Sequence, residues 1–293
     1  MPVPFIPQIV AAGCSDIGCV RPDNQDAWLA DAEHGLFIVA DGIAGRPAGA
    51  MASQFVTSAL SRVLARRSAS LLTFPKLNGL PRRAAACGAP CARHGASASP
   101  TIGVQLTTGT SFTQRSRARA VRYVLRESIL EVGREIRKTG ADNPDLRGMG
   151  ATIVAVWLRG PFTHVAHMGD SRAYLLRGGV LAPLTADHSI VALLKRNGEI
   201  TEEEAQGHPA GGSLTRFVGM EGDVYPDTRS LRLDSGDRLL LCTDGMWSAV
   251  PDAELSAVLL NHPEPETACQ ELISLAKQQG GRDNITAVIV AIG

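Results

Sequence analysis

The chain lacks net charge: its 293 residues carry 29 Lys+Arg against 29 Asp+Glu. No overall field draws such a protein to nucleic acid or an anionic membrane, so neither is expected as a partner. No apolar run is long enough to cross a bilayer. The short apolar patch in the first twelve residues has no basic region before it, so no signal peptide is expected. The six cysteines (Cys14, Cys19, Cys87, Cys91, Cys242 and Cys269) show neither zinc-type pairing nor the density of a disulfide framework. Cys242, inside an apolar run, reads as a small buried hydrophobe. These absences suit a reducing, cytoplasmic setting. Also missing are Gly-x-Ser-x-Gly, a Walker A loop and His-Glu-x-x-His, and the seven histidines form no cluster. His188 reads as a structural hydrogen-bonding residue rather than an acid–base group.

What is present is an ordinary globular composition, 44% apolar and 20% charged, with one unusual echo. Leu36-Phe-Ile-Val-Ala runs straight into Asp41-Gly42, and Leu239-Leu-Leu-Cys-Thr runs into Asp244-Gly245. Each places a carboxylate at the end of a buried strand, where an uncompensated charge is unfavourable. Asp-Gly is also a good turn pair, so either site alone reads as a hairpin tip. Two copies, with Asp26, Asp170 and Asp283 in similarly punctuated settings, point instead to a shared cation.

Around the echo, residues 13–31 read as a mixed polar segment with loop signals. Helical spacing covers Ala50–Leu64 and Ala118–Lys138, and hairpin spacing covers Ala151–Trp157, Thr163–Met168 and Arg172–Leu176. Helices follow at Ser189–Asn197, after the capping box Thr201/Glu204, at Asp252–Leu260 and at Glu264–Gln279. The chain closes on strand Ile285–Ile292. Strands in runs with helices grouped between them predict an α+β layered domain over residues 1–293. Residues 66–117, rich in Arg, Ala, Ser, Gly, Thr and Pro, read as a loosely ordered insertion.

Five oxygen-donor carboxylates without neighbouring His or Cys at ligand spacing favour a hard cation, Mg²⁺ or Mn²⁺, over zinc. Two such ions about 4 Å apart can activate a water and clamp a phosphoryl or acyl group. Arg21, close to Asp26, is suited to gripping a phosphate bidentately.

The ordered set Arg21-x-x-Asn24-Gln25-Asp26, Val39-Ala-Asp-Gly42, Gly148-Met-Gly-Ala-Thr152, Gly169-Asp-Ser-Arg172, Leu184-Thr-x-Asp-His-Ser189, Leu214-Thr-Arg216, Thr243-Asp-Gly245 and Asp283-Asn-Ile-Thr286 closely resembles the metal-dependent protein phosphatases. The resemblance is to type 2C serine/threonine phosphatases in their bacterial form. It implies a β-sandwich of two antiparallel sheets flanked by helices, in four α-β-β-α layers. It implies hydrolysis of phosphoserine and phosphothreonine by a metal-activated water, with two Mn²⁺ or Mg²⁺ ions and a third in bacterial members. By that resemblance Asp41, the Gly42 carbonyl, Asp244 and Asp283 hold the two ions. Asp170 serves the third, Asp26 holds water behind them, and Arg21 binds the substrate phosphate. A phosphoprotein substrate and an opposing serine/threonine kinase follow by analogy.

Three positions depart from the pattern: Gln25 where glutamate is frequent, Ile43 where eukaryotic members carry a histidine, and Ala44 where bacterial relatives have glycine. Two rival readings stand beside the phosphatase: an inactive relative serving as a binding module, and a different dinuclear hydrolase acting on small phosphoesters.

Overall fold

The computed structural model describes residues 8–43, 48–71, 112–159 and 161–293. Eleven strands are described: β1 Ile9–Asp16, β2 Asp26–Asp31, β3 Leu36–Ile43, β4 Gly150–Ala151, β5 Ile153–Arg159, β6 Phe162–Met168, β7 Arg172–Arg177, β8 Val180–Pro183, β9 Asp227–Leu231, β10 Arg238–Cys242 and β11 Ile285–Ile292. The helices are α1 Ala48–Leu71, α2 Phe112–Asp142, α3 Ile190–Asn197, α4 Glu202–Ala205, α5 Asp244–Trp247, α6 Asp252–Asn261 and α7 Pro265–Gln278.

The strands form two sheets with every pairing antiparallel. One runs β1-β11-β10-β7-β8; the other runs β2-β3-β5-β6-β9, with β4 on β3. Strand parity explains the long apolar runs. Phe37 and Val39 turn inward, between the sheets, with Leu239, Leu241, Val288 and Val290. Leu36, Ile38 and Ala40 turn the other way, onto α1 and α2. Leu240, Cys242, Ile285 and Ile289 meet α6 and α7 on the far side. Both faces of each sheet are covered, so alternation is lost and near-continuous hydrophobic strands result. The architecture is the expected four-layer α-β-β-α sandwich.

Several boundaries differ from the sequence reading. Residues 13–31 hold the end of β1 and all of β2; their Ala, Gly, Ser and Asp content hid two strands that owe their state to pairing with β11 and β3. Asp41 lies within β3, which continues to Ile43 because β4 pairs with it. Asp244 opens a helix rather than capping a hairpin. Helices α1 and α2 run past their apolar stripes, so residues 66–71 and 112–117 are helical, each carrying two arginines, which favour helix. The rest of the expected insertion, with Cys87 and Cys91, and Ala44 lie outside the described residues. No described helix is long and apolar enough to cross a membrane.

Candidate metal centre

Asp26 and Asp41 are direct cross-strand partners on β2 and β3. Parity carries Asp41 onto the inter-sheet face that Phe37 and Val39 occupy, where the apolar core ends. Its backbone is fixed by Thr152: Asp41 N–H donates to Thr152 Oγ1 at 2.9 Å, and Thr152 N–H donates to the Asp41 carbonyl at 2.8 Å. A Cβ on Gly42 would stand 2.0 Å from the Gly49 carbonyl oxygen, so only glycine lets β3 approach the start of α1 this closely.

The other sheet supplies the facing acids. Asp244 is the first residue of α5, and Asp283 immediately precedes the turn into β11. Gly245 brings those two turns together; a Cβ on it would meet the Asn284 carbonyl at 2.1 Å. Asp283 Oδ1 accepts the Asn284 N–H at 2.9 Å, and its Oδ2 accepts Arg21 Nη2 at 2.6 Å. Thr243 and Thr286 hydroxyls both donate to Asp26 Oδ2, at 2.8 and 2.6 Å, stitching one sheet to the other.

Asp170 sits in the β6–β7 crossover. Its carbonyl accepts Trp247 Nε1 at 2.9 Å. The Arg172 guanidinium lies 3.5 Å above the Trp247 ring and forks onto Asp187 at 2.9 and 2.7 Å. Gly169, at φ +108°, makes the bend; a Cβ there would strike Thr152. His188 closes the crossover from behind. Its Nδ1 accepts the Gly169 N–H at 3.3 Å, so Nε2 carries the proton and donates to Asp227 at 3.2 Å. Arg216 holds Asp227 at 3.0 Å.

Arg21, Gln25, Asp41, Gly42, Asp170, Asp244 and Asp283 thus line one cleft of about 480 Å³, with Pro22, Ile43, Leu214 and Phe217 adding apolar wall. Asp26 lies behind Asp41. Enclosure pushes Asp26 up to about 7, with Asp244 and Asp283 adding to it and the two threonine hydroxyls opposing. Asp170 is raised to about 7 and Asp244 to about 6, by enclosure first and neighbouring carboxylates next. Asp41 stands well above the usual carboxylate range through enclosure and the charges of Asp244, Asp26, Asp170 and Asp283. Asp26 Oδ1 is enclosed with no hydrogen-bond partner. Crowded, desolvated, all-oxygen acids with one oxygen orphaned fit hard divalent ions.

The described residues also bring His167, His188 and Asp227 together, with ligand atoms all within 4.8 Å of one another. The two imidazoles are stacked, centroids 4.5 Å apart and planes at 13°. An ion in the plane of one ring is then out of the plane of the other. His167 Nε2 is engaged with the Ala186 carbonyl at 2.9 Å, and burial followed by His167 lowers His188 to about 4, keeping it neutral. These side chains hold the crossover by hydrogen bonding, as read for His188.

Of the acids singled out in the sequence, Asp41, Asp170, Asp244 and Asp283 line this cleft, and Asp26 stands behind it as the cross-strand partner of Asp41. The reading assigned nothing to Thr152, Thr243 and Thr286, although all three stand inside the quoted motifs. Which strand a hydroxyl will face is decided by sheet order, and the only signal was their place within the quoted motifs, where Thr243 alone adjoins an aspartate.

Known proteins resemble this chain in sequence and in fold. A family model described as "Protein phosphatase 2C" matches residues 21–275. The chain is 41% identical over 166 residues to the serine/threonine phosphatase stp of Listeria monocytogenes, covering 57% of this chain and 66% of that protein, just under two thirds of its length. It is 32% identical over 279 residues to a putative protein phosphatase 2C-type of Streptococcus pyogenes, covering 94% of each. The solved catalytic domain of the serine/threonine protein phosphatase PstP, in complex with two manganese ions, superposes with a TM-score of 0.71 at 28% identity, covering 97% of this chain and 98% of that one.

Proposed function

The chain belongs to the protein phosphatase 2C family, and from that premise we propose that it is a metal-dependent hydrolase removing phosphate from phosphoserine and phosphothreonine in proteins. One observation carries the reading: five aspartates from both sheets converge about Asp41, and a single neutral or apolar environment would not tolerate them all ionised. Asp41, the Gly42 carbonyl, Asp244 and Asp283 would hold two ions, and Asp170 a third. Bound there, Mn²⁺ or Mg²⁺ supplies a water of lowered pKa and Lewis-acid stabilisation of phosphoryl oxygens. Manganese is favoured by the solved relative that carries it.

The chain's own residues do the rest. Arg21, at the rim and half exposed, is pinned by Asp283 with its remaining guanidinium donors available to a phosphate. Asp26, gripped by two threonines through one oxygen, would have its second oxygen left to hold a water. Arg172, Trp247 and His188 hold the Asp170 loop in register. Ile43 has no ionisable proton, so the leaving group would have to be protonated by water or by another residue.

Residues 1–293 act, in this proposal, as one phosphatase domain, and deletion of residues 66–117 is expected to leave small-substrate hydrolysis mostly in place. A reducing cytoplasm is proposed because Cys14, Cys19, Cys242 and Cys269 are free thiols. An opposing serine/threonine kinase is proposed because phosphoprotein must be supplied.

The test is hydrolysis of p-nitrophenyl phosphate with Mn²⁺ or with chelator, and in Asp41→Asn and Asp244→Asn. Turnover is expected with Mn²⁺ only, and each substitution is expected to lower it by at least about a hundredfold. Wild-type protein inert with both Mn²⁺ and Mg²⁺ would make the chain a binding module. Hydrolysis of small phosphates without phosphopeptides would reassign its substrate.

A further inference from the structure

From Gly42 to Arg126 the chain has thirteen Lys and Arg and not one Asp or Glu, leaving sixteen basic residues elsewhere against all 29 acids. The zero net charge conceals a strong separation. On α2, Arg115, Arg119, Arg122 and Arg126 recur at steps of four, three and four. At 100° per residue they share an arc of about 60°, and at 1.5 Å per residue they make a stripe about 16 Å long. Arg115 and Arg119 are exposed and have no acidic partner among the described residues. Arg122 donates to Ser230 Oγ at 3.0 Å, and Arg126 lies 4.2 Å over the Tyr225 ring; neither contact neutralises the charge.

A merely solvated helix face mixes its charges. The second half of the same helix does, interleaving Glu127, Glu131 and Glu135 with Arg134, Arg137 and Lys138, and Glu131 also serves Arg66 and Arg67 of α1. Like charges three and four residues apart along residues 115–126 repel one another, a standing disadvantage that an anionic partner would reverse.

The helix also leads to the cleft. Gly133 abuts Gly219, Arg137 donates to the Met220 carbonyl at 3.1 Å, and Phe217 of that segment lines the cleft. The stripe lies between about 10 and about 27 Å back along the axis from Gly133.

We propose that this arginine stripe docks an acidic, Glu/Asp-rich segment of the phosphoprotein substrate, an inference that rests on the phosphatase activity proposed above. Guanidinium forks match carboxylates bidentately, and four in line suit an extended chain better than a point anion. The negative remainder of the chain repels a large polyanion such as a duplex or a bilayer, whereas a short acidic segment meets only the stripe.

Two measurements test this. A phosphothreonine peptide carrying a poly-Glu tail about eight residues away is compared with its poly-Gln counterpart at low ionic strength. Separately, a labelled, unphosphorylated poly-Glu peptide is titrated in fluorescence anisotropy. The Glu tail is expected to lower KM about tenfold at unchanged kcat. Arg115→Gln/Arg119→Gln is expected to erase that advantage and the anisotropy signal, with p-nitrophenyl phosphate turnover intact. Equal KM for the two tails overturns the inference, as does an advantage or binding that survives in the double variant. Equal KM with loss of phosphatidylglycerol-vesicle or duplex-DNA binding in the double variant reassigns the stripe to a polyanion. A wild type that hydrolyses no phosphate defeats the activity instead, and anisotropy still reports docking on its own.

Discussion

In the proposed metal centre, Asp244 would serve the site against the interest of the fold. Its carboxyl is raised to about 6 because the protein encloses it beside Asp283, so without cations its ionised form weakens the folded state. Asn keeps the shape and removes the charge. In chelator, Asp244→Asn is expected to melt above wild type by roughly 2–5 °C, while Mn²⁺ raises the wild-type melting temperature and leaves the variant's nearly unchanged. Thermal unfolding with and without Mn²⁺ checks this; a variant that melts lower in chelator would show that the acids do not repel one another. This residue was legible in the sequence because a carboxylate next to glycine at the end of an apolar run is locally anomalous, twice over. Its supports were not. Thr243 and Thr286 reach Asp26 across 217 and 260 residues of chain, and no local pattern encodes a hydroxyl that points into another sheet.

At the scale of elements, β6 shows how a polar residue is absorbed. His164 is buried on it, with Nδ1 2.8 Å from Ser230 Oγ on β9, and burial lowers it to about 4, helped by Arg122 and Arg159. A folded value below the unfolded 6.5 means the unfolded chain binds more protons between those limits. Its contribution is therefore intact above about pH 6.5 and lost as pH falls toward 4. At pH 5 the loss is about 2 kcal/mol. His164→Gln is expected to lose correspondingly less stability between pH 7 and pH 5 in denaturant titrations; parallel losses would remove His164 as the cause. The sequence revealed strands and helices wherever one face was apolar over several turns or pleats. It concealed β1 and β2, whose Asp, Gly, Ser and Ala gain strand geometry only from their neighbours. It also understated α1 and α2, where arginine-rich turns continue a helix beyond its buried stripe.

For the whole molecule, the order of layers was out of reach of periodicity, since runs buried on both faces carry no alternation; the motif resemblance supplied it. The two sheets also divide the site between them. Asp26 and Asp41 belong to one, Asp244 and Asp283 to the other, and Asp170 to the crossover that joins them. An ion shared by those carboxylates, as proposed, would consequently be a rivet through both leaves of the sandwich. Loading it should slow amide hydrogen exchange in β3 and β10 together, and exchange that slows in only one would show that the acids on the other do not share the load. In the proposed centre, withdrawing metal would part the two leaves as well as stop hydrolysis.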